Sequence, residues 1–330
     1  MIVTPAGLPV KIEKDDPQGP DLHVDALATE FSIGYSNTDF IVDQISPEVG
    51  VNKRSGKYAT YDQSHWFRDE AKKRAPGTKS EGGGWSVATS STFYCDRYSV
   101  RHEISDEDRD MQDDPFDVDR EASEFVADKI MLRREVDWAT TNFTTGVFAT
   151  DKTGGTDFTI FSDYGASTPL VTLTEYADTV EGDIARTPNV LVLGKQVWRN
   201  LRWHPDLIDA MKVTDVRKPT VEMFANLLDM DKVLVGKSIY TTDAKGTAEG
   251  SVTYTRVWGN NALLLYVPER PSLRTPSACY TVVWNRVPNA KMYIKRMRNE
   301  EREIDIMEGN SYFDHLVTGT SAGLFLSGAS

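Results

Sequence analysis

Five histidines, two cysteines and 50 acidic side chains are the raw material for chemistry in this chain of 330 residues. Their spacing forms no focused site. His102-Glu103-Ile104-Ser105-Asp106 begins like a zinc-protease helix, but Asp106 stands where the second histidine would have to reach the metal from the next turn. His23, His65, His204 and His315 are scattered, with no ligand partner nearby in sequence, and read as surface or packing residues. Gly236-Lys237-Ser238 has the end of a phosphate loop, yet Asp231 occupies the position of its first glycine and Lys232 to Val235 reads as strand. Asp106, Asp108, Asp110, Asp114 and Asp117 imitate calcium-loop spacing, but Met111 replaces the turn glycine, Pro115 interrupts the loop, and position 12 lacks the bidentate Glu. Neither a Gly-x-Ser-x-Gly elbow nor a Cys-x-x-Cys pair occurs. The expectation is therefore no catalytic residues, no cofactor, no metal and no enzyme activity.

The elements that would carry these residues follow from apolar periodicity and turn chemistry. Residues 1–40 read as an arm, with Asp15-Asp16-Pro17-Gln18-Gly19-Pro20 preventing regular structure. A strand-like pattern starts at Phe40-Ile41-Val42 and runs through Val51, turns at Lys53-Arg54-Ser55-Gly56, and returns at Tyr58-Ala59-Thr60-Tyr61. Residues 62–90 combine Trp66, Phe67 and Trp85 with Arg68, Lys72, Lys73, Arg74 and Lys79, then Gly82-Gly83-Gly84, and offer little core of their own. A loop of that length in a compact protein has a job. Between Glu103 and Asp119 stand nine carboxylates, including Asp106, Asp108, Asp110, Asp113 and Asp114, against the single base Arg109.

A long helix is expected over 117–143, its apolar face set by Ala122, Phe125, Val126, Ile130, Val136, Ala139 and Phe143. Acidic residues lie at its start, where the helix dipole is positive. Thr172-Leu173-Thr174-Glu175 reads as a capping box opening a helix to about Arg186. Pro205 must break or kink the helical stretch Gln196 to Met211. The apolar runs Val190–Leu193, Val233–Val235, Leu263–Val267 and Tyr280–Trp284 predict strands covered on both faces, so 168–286 reads as a helix-flanked sheet. Shorter strands close the chain at Ile304–Ile306 and Phe313–Val317.

Composition narrows the class. Hydrophobic residues make up 39% and charged residues 26%, as in a folded domain. The balance of 37 basic against 50 acidic side chains gives −13, which disfavours a protein built to neutralise phosphates. No run of about 20 apolar residues predicts a membrane span, and the first residues lack a secretory pattern. Cys95 and Cys279 make neither a disulfide framework nor a zinc site, and read as buried thiols.

At Trp66 to Gly77, and again along Asp128-Lys129-Ile130-Met131-Leu132-Arg133-Arg134-Glu135-Val136-Asp137-Trp138, the sequence resembles the major capsid proteins of tailed bacteriophages. The order of elements agrees along most of the chain. The resemblance implies the α+β (mixed α/β) Hong Kong 97-type fold. Its parts would be an N-terminal arm (1–40), peripheral-domain strands (41–57), an extended loop (58–95), and more peripheral domain (96–167) with a spine helix at 117–143. An axial domain (168–288) and C-terminal peripheral strands (289–330) would follow. It implies a structural protein of the virion that builds hexamers and pentamers of an icosahedral head around double-stranded DNA, without sequence-specific binding and without a membrane. Assembly would take place in the host cytoplasm. A separate scaffolding protein, a portal protein and a decoration protein are the implied partners. Trp66, Phe67, Arg68, Lys72, Lys73, Arg74, Lys79 and Trp85 would then grip a neighbouring copy, the cations meeting Asp106, Asp108, Asp110, Asp113 and Asp114 across the interface. The alternatives are a solvated basic loop and acidic turn, the shell of a cellular nanocompartment, and a soluble α/β enzyme with its pocket in 168–288.

Overall fold

The computed structural model describes residues 40–58, 60–61, 67–80, 82–84, 87–88, 91–110, 118–211, 219–268, 277–285 and 291–330. The arm expected over 1–40 lies outside these residues, apart from Phe40. In chain order come helix α1 (Val42–Ile45) and strands β1 (Glu48–Val51), β2 (Ser55–Lys57), β3 (Thr60–Tyr61), β4 (Val87–Ala88), β5 (Thr92–Tyr94) and β6 (Asp96–Ser105). Helices α2 (Asp106–Asp110) and α3 (Val118–Asn142) precede β7 (Thr150–Thr153), α4 (Pro169–Ile184) and β8 (Val190–Gly194). Next are α5 (Lys195–Arg202), α6 (Pro205–Met211), α7 (Val221–Leu227), β9 (Lys232–Gly236), β10 (Ile239–Tyr240), β11 (Thr255–Arg256) and β12 (Ala262–Leu265). Strands β13 (Cys279–Trp284), β14 (Tyr293–Asn299), β15 (Ile304–Val317) and β16 (Gly323–Ser327) come last.

Two five-stranded sheets organise the chain. In the first, β15 runs antiparallel to β6 along Ile304–Phe313, to β14 along Ile304–Asn310 and to β13 along Phe313–Val317, and β1 lies parallel to β13. The second has the order β7-β16-β12-β8-β9, with parallel pairs at both ends and antiparallel pairs between. Its central strands β8 and β12 are buried at every position, as unbroken apolar runs require when helices or loops cover both faces.

Helix α3 joins the two. Its N-terminal half sets Ala122, Val126, Ala127 and Ile130 against Ile104, Met292, Ile294 and Met307 of the first sheet's layer. Its C-terminal end sends Trp138 and Ala139, with Phe143 just beyond, into the core around the second sheet. Trp138 and Phe143 both pack on Trp258, at ring-centroid distances of 5.5 and 5.1 Å. Phe125, expected on the buried face, is 45% exposed and lies between His102 and Lys129.

Four further sequence expectations need correction. Phe40–Val42 does not begin a strand: Ile41, Val42 and Ile45 are buried together, which a helical turn achieves and an extended chain does not. Thr172 is no cap, because the helix already starts at Pro169, whose missing N–H suits the first turn, and the Thr172 hydroxyl donates back to the Thr168 carbonyl at 2.9 Å. The run Tyr280–Trp284 belongs to the first sheet, while the C-terminal β16 completes the second. Finally, Ile304 to Val317 is one continuous strand of 14 residues. Pro205 does break the helix as expected. It starts α6, and His204 ahead of it accepts from the Asp206 N–H at 3.2 Å and meets Ser167 Oγ at 2.8 Å.

The helix–sheet contact depends on one glycine. A Cβ at Gly309 of β15 would stand 2.2 Å from Val126 Cγ1 and 2.8 Å from Ile130 Cδ1. Gly309→Ala should therefore push α3 off the sheet and cost roughly 1–3 kcal/mol of stability, read as a lower midpoint in urea denaturation.

Candidate assembly surfaces

A buried carboxylate fixes the junction between α3 and the second sheet. Glu135 is 1% exposed. Its Oε1 accepts from Trp258 Nε1 at 2.6 Å and from the Ser238 hydroxyl, and its Oε2 accepts from the Ile41 N–H at 2.9 Å. Burial pushes this carboxyl above the ordinary range, and the donors from three segments oppose that shift. One residue earlier, the buried Arg134 pairs with Asp43 at 3.2 Å and with Glu48, and Lys291 joins the same two carboxylates at 3.0 and 3.2 Å. Behind them, His315 Nδ1 meets Thr281 Oγ1 at 2.9 Å, and Thr281 Oγ1 meets Ser46 Oγ at 2.8 Å. Burial, then the neighbouring Arg134 cation, depresses His315 to about 3, against partial support from Asp43. Both cysteines are buried free thiols, Cys95 pushed up to about 11 and Cys279 to about 12 by burial, which removes them from reactive chemistry.

On that base stands the hairpin expected to reach a neighbour. β2 pairs with β5 and β3 with β4, in antiparallel register from Ser55↔Tyr94 to Tyr61↔Val87. Its foot is anchored: Arg54 Nε donates to the Cys95 carbonyl at 2.9 Å, its guanidinium lies 4.6 Å from the Tyr94 ring, and the Tyr94 N–H reaches Asp314 at 2.9 Å. The far part is open to solvent. Phe67, Arg68, Lys72, Lys73, Arg74 and Lys79 are all exposed, Phe67 at 59%. Arg68 pairs with Glu70 at 3.7 Å. A turn at Ala75–Thr78, with Pro76 ahead of Gly77 at φ 81°, is closed by the Thr78 hydroxyl on the Ala75 carbonyl and by Arg74 on the Thr78 carbonyl. Trp66 and Trp85 lie outside the described residues.

The acidic segment divides into committed and free-facing parts. Asp106 is held by Arg298 and sits 3.9 Å from Arg109, and the Arg298 hydrogen bond keeps its carboxyl below the usual range. Asp305, 6% exposed, would be raised by burial, but Arg296 and Arg109, each at 2.8 Å, hold it low. Asp108 accepts from the Ser105 hydroxyl at 2.6 Å, while Ser105 Oγ accepts the Asp108 N–H at the start of α2. Asp110 is exposed. Asp113 and Asp114 lie outside the described residues. Sequence reasoning missed Glu135, hidden in a charged run, and the arginines from β14, whose register places them beside α2 from nearly two hundred positions away.

No family model matches the sequence. The major capsid protein of Burkholderia phage BcepMu is 25% identical over 310 residues, spanning 92% of this chain and 96% of that protein. That of Pseudomonas phage JBD67 is 27% identical over 249 residues, covering 74% and 77%. Among solved structures, a phage-related protein of Bordetella bronchiseptica superposes with a TM-score of 0.72 at 19% identity, covering 94% of this chain and 98% of that one. The capsid of cyanophage P-SCSP1u gives 0.55 at 13% identity, covering 86% of each. The chain has the Hong Kong 97-type capsid fold of the tailed-phage major capsid proteins. An encapsulin from Synechococcus elongatus shares this capsid fold, at a TM-score of 0.52 and 10% identity over 89% and 88%.

Within this capsid fold the long helix is the member that holds two sheets at a fixed angle, and its joint is polar. Glu135→Ala would strand the Trp258 and Ile41 donors in an apolar interior and should cost about 3 kcal/mol, measured by chemical denaturation. His315 gives a pH signature. Its pKa is depressed on folding, so its contribution is present above about 6.5 and is lost as pH falls towards 3. Stability should fall through that window, and His315→Gln should flatten the fall by about 2–4 kcal/mol. An unchanged slope in acid unfolding would remove His315 from the account.

Proposed function

We propose that this chain is the structural subunit of a phage head. On this reading it self-assembles into hexamers and pentamers of an icosahedral shell that encloses double-stranded DNA, and it catalyses no reaction. The observation that carries the reading is the hairpin between β2 and β5. Its foot is fixed by Arg54, Tyr94 and Asp314, while residues 67–80 at its described tip are almost all exposed, so among the described residues the excursion gains little burial within the subunit. Exposed Phe67 and a basic run suit an interface that anchors through an aromatic ring and takes its register from charge. Because Asp106 is held by Arg298 in its own subunit, the carboxylates that would meet Lys72, Lys73 and Arg74 of a neighbour are Asp108 and Asp110, together with Asp113 and Asp114. The head would be the virion's outer shell, built in the host cytoplasm with a scaffolding protein, a portal and a decoration protein as its partners.

The likeness to an encapsulin supports a second reading, a cellular compartment shell enclosing protein. Electron microscopy of purified protein should show closed shells or five- and six-membered rings, and a small discrete oligomer would overturn both readings. Nucleic acid inside native particles favours the head, and co-purified enzyme cargo favours the compartment. Reversing Lys72, Lys73 and Arg74 to glutamate should cut particle yield at least tenfold at low salt. Normal yield and normal thermal stability of the particles would end the proposed pairing.

A further inference from the structure

The second sheet carries two surfaces of opposite charge that the extended hairpin does not use. Helix α5 buries Val197, Trp198 and Leu201, and so turns Lys195, Arg199 and Arg202, at positions i, i+4 and i+7, to its other side. Arg256 of β11 approaches the same place, and the four cations line a depression of about 150 Å³ beside the half-exposed ring of Trp203. Among the described residues no carboxylate pairs with any of the four, and the buried Arg202 Nε has no hydrogen-bond partner. Four like charges gathered with no described carboxylate paired to them repel one another, so the arrangement favours an anionic partner.

A matching counter-charge lies on helix α4, which like α5 contacts α6. Helix α4 buries Leu173, Tyr176, Ala177, Val180 and Ile184, and leaves Glu175, Asp178 and Glu181 exposed on its outer side. α4 packs on β16, next to the β7 edge, and α5 packs on β8 and β9 toward the other edge, with β12 between them and α6 touching both helices. Among the described residues no ion pair joins α4 to α5, so one copy does not close its own basic groove with its own acidic helix. A second copy, placed beside it along the strand order of the sheet, can.

We infer that the groove of Lys195, Arg199, Arg202 and Arg256 takes the Glu175–Asp178–Glu181 face of α4 from an adjacent copy, in a head-to-tail contact repeated around a ring. Such a contact is heterologous, and it closes when the rotation per copy divides the circle. This inference rests on the self-assembly proposed above and assigns to it a second contact, independent of the hairpin. The groove fixes orientation, because a copy turned end for end would set α5 against α5 and cation against cation.

Charge exchange tests it. Lys195→Glu with Arg199→Glu changes exposed or half-exposed side chains only, and Glu175→Lys with Asp178→Lys does the same on α4. Each pair should leave the melting temperature of the dispersed subunit unchanged, yet lower the fraction in rings or shells at least tenfold by sedimentation and electron microscopy. A chain carrying all four reversals should recover assembly to within about twofold of the parent. Parental assembly by either pair alone, or no recovery in the fourfold variant, overturns the contact. If Lys195→Glu with Arg199→Glu assembles normally but loses co-purifying nucleic acid, the groove serves nucleic acid and the contact is again overturned. A parent chain that forms neither rings nor shells sinks the assembly reading itself, a result distinguishable from failure confined to the variants.

Discussion

The fold depends on a carboxylate where a hydrophobic residue would be the simpler choice. Glu135 sits inside the protein, on a helix that must hold two sheets at once, and receives donors from α1's approach, from the turn after β9 and from Trp258. Apolar packing alone tolerates sliding, because its energy follows area and not direction. Three hydrogen bonds onto one carboxylate fix both the rotation of α3 and its position along the axis. The desolvation they offset is large, so a displaced Glu135 would be an uncompensated buried charge. Arg134, on the next position, repeats the device toward Asp43 and Glu48. Two adjacent helical residues thus clamp opposite surroundings, and the body that results is rigid enough to carry a long unsupported hairpin.

That division between a rigid body and reaching parts explains where the charges are satisfied. Arg109, Arg296 and Arg298 converge on Asp106, Asp119 and Asp305 where β6, β14 and β15 end together. These pairs close the end of a sheet. The described cations of the hairpin tip are exposed, and those of α5 are exposed or half-exposed. Within a monomer the first set specifies structure and the second contributes little; the second set belongs to the contacts between copies proposed above.

What could be read from the sequence was what local physics decides. The periodicity of Ala122, Val126, Ile130 and Ala139 located α3 within a residue at each end, since a helix that buries one face repeats its apolar residues every third or fourth position. Pro205 announced the break between α5 and α6. What escaped was pairing. Tyr280–Trp284 declared itself a buried strand, but its apolar run said nothing about whether β12 or β15 would lie beside it. The acidic stretch was legible as charge, while the arginines that claim Asp106 come from β14, placed there only by sheet register. Glu135 stood among Arg133, Arg134 and Asp137 with the look of a solvated helix face, and only the tertiary position of Trp258 reveals it as interior. The hairpin is the converse case: its lack of an apolar pattern was itself the signal.

A subunit of this build has few places where its shape could change without loss of the fold. The first sheet is long, with β15 threading through partners on both sides, and cannot shear without breaking many backbone hydrogen bonds at once. The second sheet is shorter and reaches the first chiefly through α3, α1 and the C-terminal strand. Reorientation between the two would therefore fall on the joint at Glu135 and Arg134, where a donor or charge left unpaired in the interior costs heavily. The Trp138, Phe143 and Trp258 rings packed at the same junction resist as well, because separating them opens a cavity whose cost rises with its volume. Polar fixation at this point gives one defined geometry, so identical chains set in slightly different positions of one closed surface would adapt through the parts that reach outward and keep this joint unchanged.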